Sequence, residues 1–390
     1  MDNLKVSNLG PIKSANINFE DLTFLVGPQA SGKSILLQLL KLLIDKKHIR
    51  RTLQQYGFIW GNDVSQILDR YFGEGMSGVW NDQSKINYDG KDFDQAFLLP
   101  KKAESVKDAK ESLFYIPAQR IVCLQNGWPR FFTEYEDSVP YILRHFSETL
   151  RLSLEKIGSD REDEVIFPQS NRLKAPLRNS FNDSIFHDGK IIIDKTSKKR
   201  FKLSFGKSTI PFMTWSAGQK EFMPLLLSFY WLSPSGSVSR KDDIKFVVIE
   251  EPEMGLHPQA IQAVLLQILD LISRDYKVIV STHSPLLLEF AWAFNLLKQN
   301  SANSTALFKL FSLGKTAPTT QVFKDLLLKK KVNTYFFDRH DQNVIIKDIS
   351  SLDAGSADPS ISEWGGLSAF SAKATNIIAN SVAQNEKKQK

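Results

Sequence analysis

The sequence predicts an α/β fold with a mainly parallel core sheet, and two observations support this fold class. An apolar, β-prone run at 22–26 leads through a glycine-rich turn into an apolar helical pattern, so a strand–turn–helix unit lies near the start of the chain. Between residues 245 and 298, short buried-type strands alternate with helical patterns. This alternation favours a parallel sheet, because parallel neighbours are usually joined by a helical crossover.

The N-terminal elements follow from hydrophobic periodicity. Residues 4–26 are predicted to form short strands, and the alternation of apolar and polar residues at 15–19 predicts an antiparallel β subdomain. The first helix is predicted over 33–45. The polar stretch that follows has no clear pattern, but Trp60 and Trp80 are expected to anchor small local cores.

The middle of the chain is predicted to hold a helical and β insert. The run at 113–116 predicts a buried strand, and the amphipathic pattern over 134–157 predicts a helix. Two apolar runs at 190–194 and 201–205 flank a polar turn at 196–200, which predicts a hairpin.

The C-terminal half contains further predicted elements. They are a helix from Ser216 to about 232, strands at 245–249 and 277–281, helices at 258–274 and 285–298, strands at 332–337 and 343–349, and a helix around 367–379 before a disordered lysine-rich tail. We therefore divide the chain into an N-terminal part of the predicted α/β domain (1–120), an insert (121–210), a C-terminal part of the same domain (211–300) and an α/β extension (301–390).

Composition limits the classes of function. Of 390 residues, 42% are hydrophobic, which suffices for a sizeable core, and no run is long enough for a membrane span. Cys123 is the only cysteine, so no internal disulfide can form, which favours a cytoplasmic protein. The net charge of +7 fits either binding to an acidic partner such as nucleic acid or simple solubility, and the sequence leaves both open.

A phosphate-binding loop is the clearest motif. Residues 27–34, GPQASGKS, match the pattern G-x-x-x-x-G-K-[ST], in which backbone N–H groups and the following helix face the phosphates of a nucleotide. We expect Lys33 to contact the β- and γ-phosphates of ATP and Ser34 to ligate Mg²⁺. The other expected ATP-binding residues in this loop are Gly27, Gln29, Ala30, Ser31 and Gly32.

Two carboxylates end a predicted buried strand. A strand of a parallel sheet presents its last side chains at the edge where α/β folds bind ligands. We expect Glu250 to hold the metal ion and Glu251 to orient or deprotonate the attacking water.

Two further motifs resemble those of ABC-type ATPases. Residues 215–219, WSAGQ, resemble the LSGGQ signature, and residues 281–284, STHS, resemble the switch-histidine loop. The phosphate loop, signature, acidic strand and histidine occur in the order of that superfamily. Residues 250–258 and 115–120 resemble stretches of its OLD-like AAA group, which is related to the heads of SMC and break-repair proteins.

The resemblance implies a head that works in pairs. ATP would lie between two heads, and Ser216, Gly218 and Gln219 of one head would contact ATP held by the other. His283 would be catalytic through sensing the γ-phosphate. Gln119 would contact ATP and its metal ion, with Arg120 as the alternative, and His257 would lie near the seam.

Two positions depart from the superfamily pattern. The usual aspartate at the strand end is Glu250, and the usual first glycine of the signature pair is Ala217, which should be tolerated. No nuclease-type acidic pattern follows the ATPase motifs, so nuclease or toxin activity is expected from a separate effector. A stand-alone ATPase of this kind resembles the ATPase subunits of the PARIS and Septu anti-phage systems. The resemblance implies an ATPase that holds or releases the separate effector.

Other functions stay open at this stage. The main alternative is a DNA-repair or DNA-maintenance ATPase of the RecF or break-repair-head type. Two further hypotheses are a transporter subunit and a scaffold that binds ATP but barely turns it over. Nucleic acid could bind lysine-rich runs at 46–51, 197–200, 329–331 and 387–390, although each alone is read as a solvated surface.

Overall fold

The computed structural model describes residues 2–101, 105–157, 164–195, 199–234, 240–241 and 243–389. The strands are β1 (Asp2–Leu9), β2 (Ile12–Phe19), β3 (Leu22–Val26), β4 (Trp80–Tyr88), β5 (Lys91–Phe93), β6 (Leu113–Ile116), β7 (Leu124–Gln125), β8 (Trp128–Pro129), β9 (Glu164–Phe167), β10 (Lys190–Asp194), β11 (Arg200–Phe205), β12 (Ser208–Pro211), β13 (Phe246–Glu250), β14 (Lys277–Thr282), β15 (Val332–His340) and β16 (Asn343–Asp348). The α-helices are α1 (Lys33–Gln55), α2 (Val64–Phe72), α3 (Tyr141–Ile157), α4 (Ala175–Phe181), α5 (Ala217–Leu232), α6 (Pro258–Ser273), α7 (Pro285–Gln299), α8 (Thr305–Leu310), α9 (Ala317–Lys329), α10 (Pro359–Ser362) and α11 (Ala369–Gln389).

Ten strands form one mixed sheet in the order β5-β4-β1-β2-β16-β15-β3-β14-β13-β6. The five strands β6, β13, β14, β3 and β15 run parallel to one another. Every residue of β3 and β13 is buried, as expected for parallel strands covered on both faces. The predicted α/β fold with a mainly parallel core is confirmed.

The N-terminal antiparallel strands continue the same sheet. β1 pairs antiparallel with both β2 and β4, and β5 pairs antiparallel with β4. The late strands β15 and β16 lie between β2 and β3, so the C-terminal part of the chain joins the antiparallel and parallel halves of the sheet. The four-segment division stays a prediction, although its last segment contributes two strands to the central sheet.

The insert forms a second, four-stranded antiparallel sheet in the order β12-β11-β10-β9. The predicted hairpin is confirmed, because β10 pairs antiparallel with β11 from Lys190↔Ser204 to Asp194↔Arg200. Residues 196–198 of its turn lie outside the described residues. The helix predicted from residue 134 begins only at Tyr141, since Pro140, which lacks an N–H, separates it from a 3₁₀ turn at Phe132–Glu134.

The first helix is longer than predicted. It runs to Gln55 and passes a local break at Asp45, whose φ is −115° and ψ is 20°. The break is stabilised because the Asp45 carboxylate accepts hydrogen bonds from the amides of Ser112 and Leu113, both at 2.9 Å. The helix therefore continues beyond Asp45, where the local pattern predicts its end, because a tertiary contact stabilises the break.

The predicted tail is also corrected. Instead of ending near residue 379, the last helix continues to Gln389. The residues after 379 include Ala, Gln, Glu and Lys, which have high helix propensities. No helix in the described part of the chain is long and apolar enough to cross a bilayer.

Candidate nucleotide site

The predicted phosphate loop connects β3 to α1, as its motif requires. Gly27, Ala30 and Gly32 have φ angles of 150°, 55° and 91°, values that L side chains rarely adopt. A Cβ added to Gly27 would lie 2.8 Å from the Cβ and 2.9 Å from the carbonyl oxygen of Phe337. The close approach of β15 is thus a second reason why residue 27 is glycine.

Side chains hold the loop from two sides. Lys33 Nζ donates to the carbonyl oxygens of Gly27 (2.8 Å) and Pro28 (2.9 Å), and lies 3.4 Å from Ser31 Oγ. Arg339, at the end of β15, donates from Nη1 to the Ala30 carbonyl oxygen at 3.2 Å. Gln29 and Ala30 are exposed at the tip of the loop. The Arg339 contact gave no signal in the sequence because 309 positions separate the partners.

Burial lowers the pKa of Lys33, and from this shift we predict that ATP affinity depends on pH. Burial lowers its pKa to about 8, against the opposing effect of Glu251, Glu250 and Glu253. Below about pH 8 the ammonium is present before ATP binds. Above it, binding must first take up a proton, so ATP affinity is expected to fall as pH rises, by as much as ~10-fold per unit. Titration calorimetry from about pH 7.5 to 9.5 measures this loss of affinity.

The control for this pH dependence is Lys33→Arg. A guanidinium stays charged throughout the range, so any ATP binding that the variant retains should not change with pH. An affinity of the wild-type protein that is constant across the range would contradict the expected proton uptake.

Glu250 lies at the carboxyl end of β13 and is 5% exposed. Its Oε2 accepts a hydrogen bond from the Ala118 amide at 3.3 Å, and its Oε1 is buried without a partner among the described residues. The pKa of Glu250 is raised, and burial is the largest cause. The nearby Ser34 hydroxyl, Ala118 amide and Tyr115 hydroxyl lower the pKa but do not offset burial. An orphaned carboxylate oxygen beside the Ser34 hydroxyl fits Mg²⁺, which prefers such oxygen ligands.

Glu251 and His283 meet at the same edge of the sheet. His283 Nε2 lies 3.6 Å from Glu251 Oε1, and both side chains are about one third exposed. The Glu251 backbone has a φ of 44° and its amide donates to the Ser281 carbonyl oxygen at 2.8 Å, which turns the chain at the strand end. Burial lowers the pKa of His283, and the charge of Lys33 lowers it further, so the ring is neutral near pH 7.

Glu253 positions the histidine loop, a role that sequence reasoning missed. Its Oε1 accepts hydrogen bonds from the Thr282 hydroxyl (2.7 Å) and the His283 amide (2.6 Å). The sequence signal was the third glutamate of the 250–253 stretch, which local reasoning reads only as part of a turn. The structure therefore uses all three glutamates at this edge.

Arg120 is a fully buried clamp beneath the acidic residues. Its guanidinium donates to the carbonyl oxygens of Glu250 (3.1 Å), Glu251 (3.2 Å) and Glu221 (3.1 Å). Gln119, the residue predicted to contact ATP and metal, is exposed at the preceding position. Arg120 thus links the acidic strand end to α5, and the role of Gln119 stays a prediction.

The predicted signature forms the N-terminus of α5. Ser216 caps the helix, since its Oγ accepts from the Gln219 amide at 3.3 Å while Gln219 Oε1 accepts from the Ser216 amide at 3.2 Å. Gln219 Nε2 also donates to the Ile185 carbonyl oxygen at 3.0 Å, so this side chain joins the signature to the insert. Ser216 and Ala217 are exposed, which leaves the end of the helix accessible.

Gly218 is tightly packed, unlike Ala217. A Cβ at position 218 would lie 2.7 Å from the Gly255 carbonyl oxygen. We expect Gly218→Ala to lower the free energy of unfolding by about 1–2 kcal/mol. The added methyl group would crowd the Gly255 carbonyl oxygen, and this cost outweighs the better helix propensity of alanine. Chemical denaturation measures the change. Gly78→Ala, where nothing lies within 4 Å, is the matched control, and a Gly218→Ala protein as stable as this control would refute the clash.

The basic runs are less available than predicted. Lys46 is 3% exposed and donates to the Phe97 carbonyl oxygen at 2.7 Å, and His48 is also buried, so 46–51 is not a continuous basic surface. In the run 329–331, Lys330 pairs with Asp275 at 2.7 Å and with Asp21. Residues 197 and 198, and Lys390, lie outside the described residues.

Family models match both halves of this site. Residues 1–125 match the family described as "AAA ATPase domain", and residues 129–289 match the family described as "AAA domain, putative AbiEii toxin, Type IV TA system". The first matched segment contains the predicted phosphate loop, and the second contains the predicted signature, the acidic strand end and His283. The OLD-like assignment stays a prediction. No curated protein matches the chain.

Several solved structures are similar to this chain at low identity. The SMC head domain from Thermotoga maritima is 11% identical with a TM-score of 0.36, over 89% of this chain and 97% of that one. An SMC head bound to the C-terminal winged-helix domain of ScpA is 12% identical with a TM-score of 0.41, over 89% and 96%. CbiO1 from Clostridium perfringens, part of an ABC transporter complex, is 14% identical with a TM-score of 0.31, over 73% and 80%.

Proposed function

We propose that this chain is an ATP-hydrolysing switch that acts as a pair of heads and controls a separate effector, a nuclease or toxin, in bacterial anti-phage defence. The observation that carries the ATPase part is the convergence of Lys33, Glu250, Glu251 and His283 at the carboxyl edge of three adjacent parallel strands. Open α/β sheets bind ligands at this edge.

The chemistry follows from the positions of these side chains. Lys33 and the loop amides bind the phosphates of ATP, and Glu251 accepts the proton of the attacking water. Burial and the charge of Lys33 lower the pKa of His283, which favours the neutral ring, and a neutral imidazole has one N–H that can donate to the γ-phosphate. Mg²⁺, held by Ser34 and Glu250, would neutralise phosphate charge.

The paired-head part rests on the exposed N-terminus of α5. Ser216 caps the helix yet is exposed, so the hydroxyl and the first amides can meet an anion from outside the chain. A phosphate bound to the phosphate loop of a second head supplies that anion. ATP then joins two heads, and hydrolysis releases them.

Mixing two inactive variants tests the shared site. Lys33→Ala removes the phosphate-loop lysine of one head, and Ser216→Arg blocks the signature of the other. A mixed pair contains one intact site, so random mixing should restore about one quarter of wild-type turnover. The control mixture of Lys33→Ala with Glu251→Gln leaves no intact site, because both changes affect the same half. Equal turnover in the two mixtures would contradict the shared site.

The effector part rests on the toxin–antitoxin description of the family that matches residues 129–289. Its test is to co-express the chain with the products of neighbouring genes, with and without Glu251→Gln, and to measure nucleotide-dependent association. A neighbouring product that binds the wild type, with an affinity that changes in the variant, supports the switch. ATP-dependent binding to DNA ends without any such partner would instead favour the repair function.

A further inference from the structure

Two histidines and a glutamate meet away from the nucleotide site. His48 lies on α1, Glu111 lies just before β6, and His145 lies on α3. One nitrogen or oxygen atom from each lies within 4.8 Å of the other two. His145 Nε2 is 3.0 Å from Glu111 Oε1, and the two imidazole rings face each other edge-on at 5.3 Å and 72°.

His48 is the least satisfied member of this cluster. It is 7% exposed, and its Nδ1 is buried without a hydrogen-bond partner among the described residues. A buried imidazole nitrogen normally has a partner, since desolvation without one is unfavourable. A further group bound beside this nitrogen would supply the missing partner.

Neighbouring side chains hold two of the three residues in place. Lys41 Nζ donates to Glu111 Oε1 and to Asp45 Oδ2, both at 2.7 Å, which fixes one carboxylate oxygen of Glu111. The His145 ring stacks on Tyr141, with centroids 5.2 Å apart and planes at 8°. Such outer contacts orient the ligands of a metal ion.

We propose that His48, Glu111 and His145 bind Zn²⁺ or a similar divalent transition-metal ion. Two imidazoles and one carboxylate form a ligand set for zinc that leaves the fourth position to water. A cavity of about 290 Å³, lined by all three residues and by Thr149 and Ser153, provides room for that water. Zinc ligands lie about 3.4 Å apart, so modest side-chain rotations complete the site.

The ion would connect elements that the nucleotide site also uses. α1 begins at the phosphate loop, and β6 leads directly to Ala118 and Arg120, which contact the acidic strand end. α3 belongs to the insert. A metal ion at this place therefore ties the insert to both sides of the nucleotide site.

The first test is titration of the metal-free full chain with Co²⁺, whose visible absorption reports its coordination, followed by displacement with Zn²⁺. Excess Mg²⁺ prevents binding at Ser34 and Glu250. One equivalent should bind to the wild type and, equally tightly, to His340→Gln, which removes an exposed histidine that lies 3.0 Å from Asp338. His48→Gln and His145→Gln should each weaken binding at least ~100-fold, beyond the usual effect of an outer contact.

A second variant keeps the test decisive if the glutamine variants fold poorly. His145→Cys retains a ligand and should add a thiolate-to-Co²⁺ absorption in the near ultraviolet, which the buried Cys123 does not give in the wild type. Absence of a stoichiometric Co²⁺ or Zn²⁺ complex in the wild type overturns the proposal. So does binding by a folded His145→Gln protein that is as tight as in the wild type.

Discussion

Replacing Glu251 with glutamine is expected to lower ATP turnover about 10³-fold while ATP still binds. Glutamine keeps the size of the side chain but cannot accept the proton of the attacking water. Glu251 lies 3.6 Å from His283 and its backbone is fixed by Ser281, so the change leaves the strand end in place. With hydrolysis blocked, paired heads should accumulate in ATP, and light scattering should show a mass at least double that of one chain.

A control variant and two contrary outcomes test this interpretation. Glu74→Gln, which changes an exposed glutamate after α2, should turn over ATP like the wild type. Turnover in Glu251→Gln within a few-fold of the wild type would remove Glu251 from the chemistry. Loss of turnover without any change of mass would retain the catalytic role but contradict the nucleotide-driven pairing.

The largest expected effect on stability comes from Arg120→Met. This buried guanidinium donates to the carbonyl oxygens of Glu250, Glu251 and Glu221. Methionine fills a similar volume but donates nothing, so three carbonyls lose a donor and Glu250 loses a nearby positive charge. We expect the free energy of unfolding to fall by about 3–5 kcal/mol, because three buried carbonyl oxygens each lose a hydrogen bond from a charged donor. Denaturant titration measures this loss.

Matched variants separate the contribution of the Arg120 hydrogen bonds to stability from that of its charge. Arg120→Lys keeps the charge but lacks the planar set of donors, and should lose less stability than Arg120→Met. Arg51→Met removes an arginine whose Nη1 donates to the single carbonyl oxygen of Lys107, and should cost little. If Arg120→Met is no less stable than Arg51→Met, the clamp has no structural importance.

The sequence alone predicted the elements whose signals are local. The phosphate loop, the capped start of α5 at Ser216 and the acidic end of β13 were found because their glycines, cap and apolar runs act within a few residues. For the same reason the hairpin of β10 and β11 was predicted correctly.

Only the tertiary structure decided which distant residues complete these parts. β15 places Phe337 against Gly27 and Arg339 against Ala30. Arg120 donates to the carbonyl oxygens of Glu250 and Glu251. The helix α1 continues past Asp45 because the amides of Ser112 and Leu113 donate to that carboxylate. Contacts of this kind join positions tens to hundreds of residues apart and leave no periodic signal. The sequence thus determined which chemical groups each motif carries, whereas packing of the sheet decided which of them meet, because their positions depend on strand order rather than on local pattern.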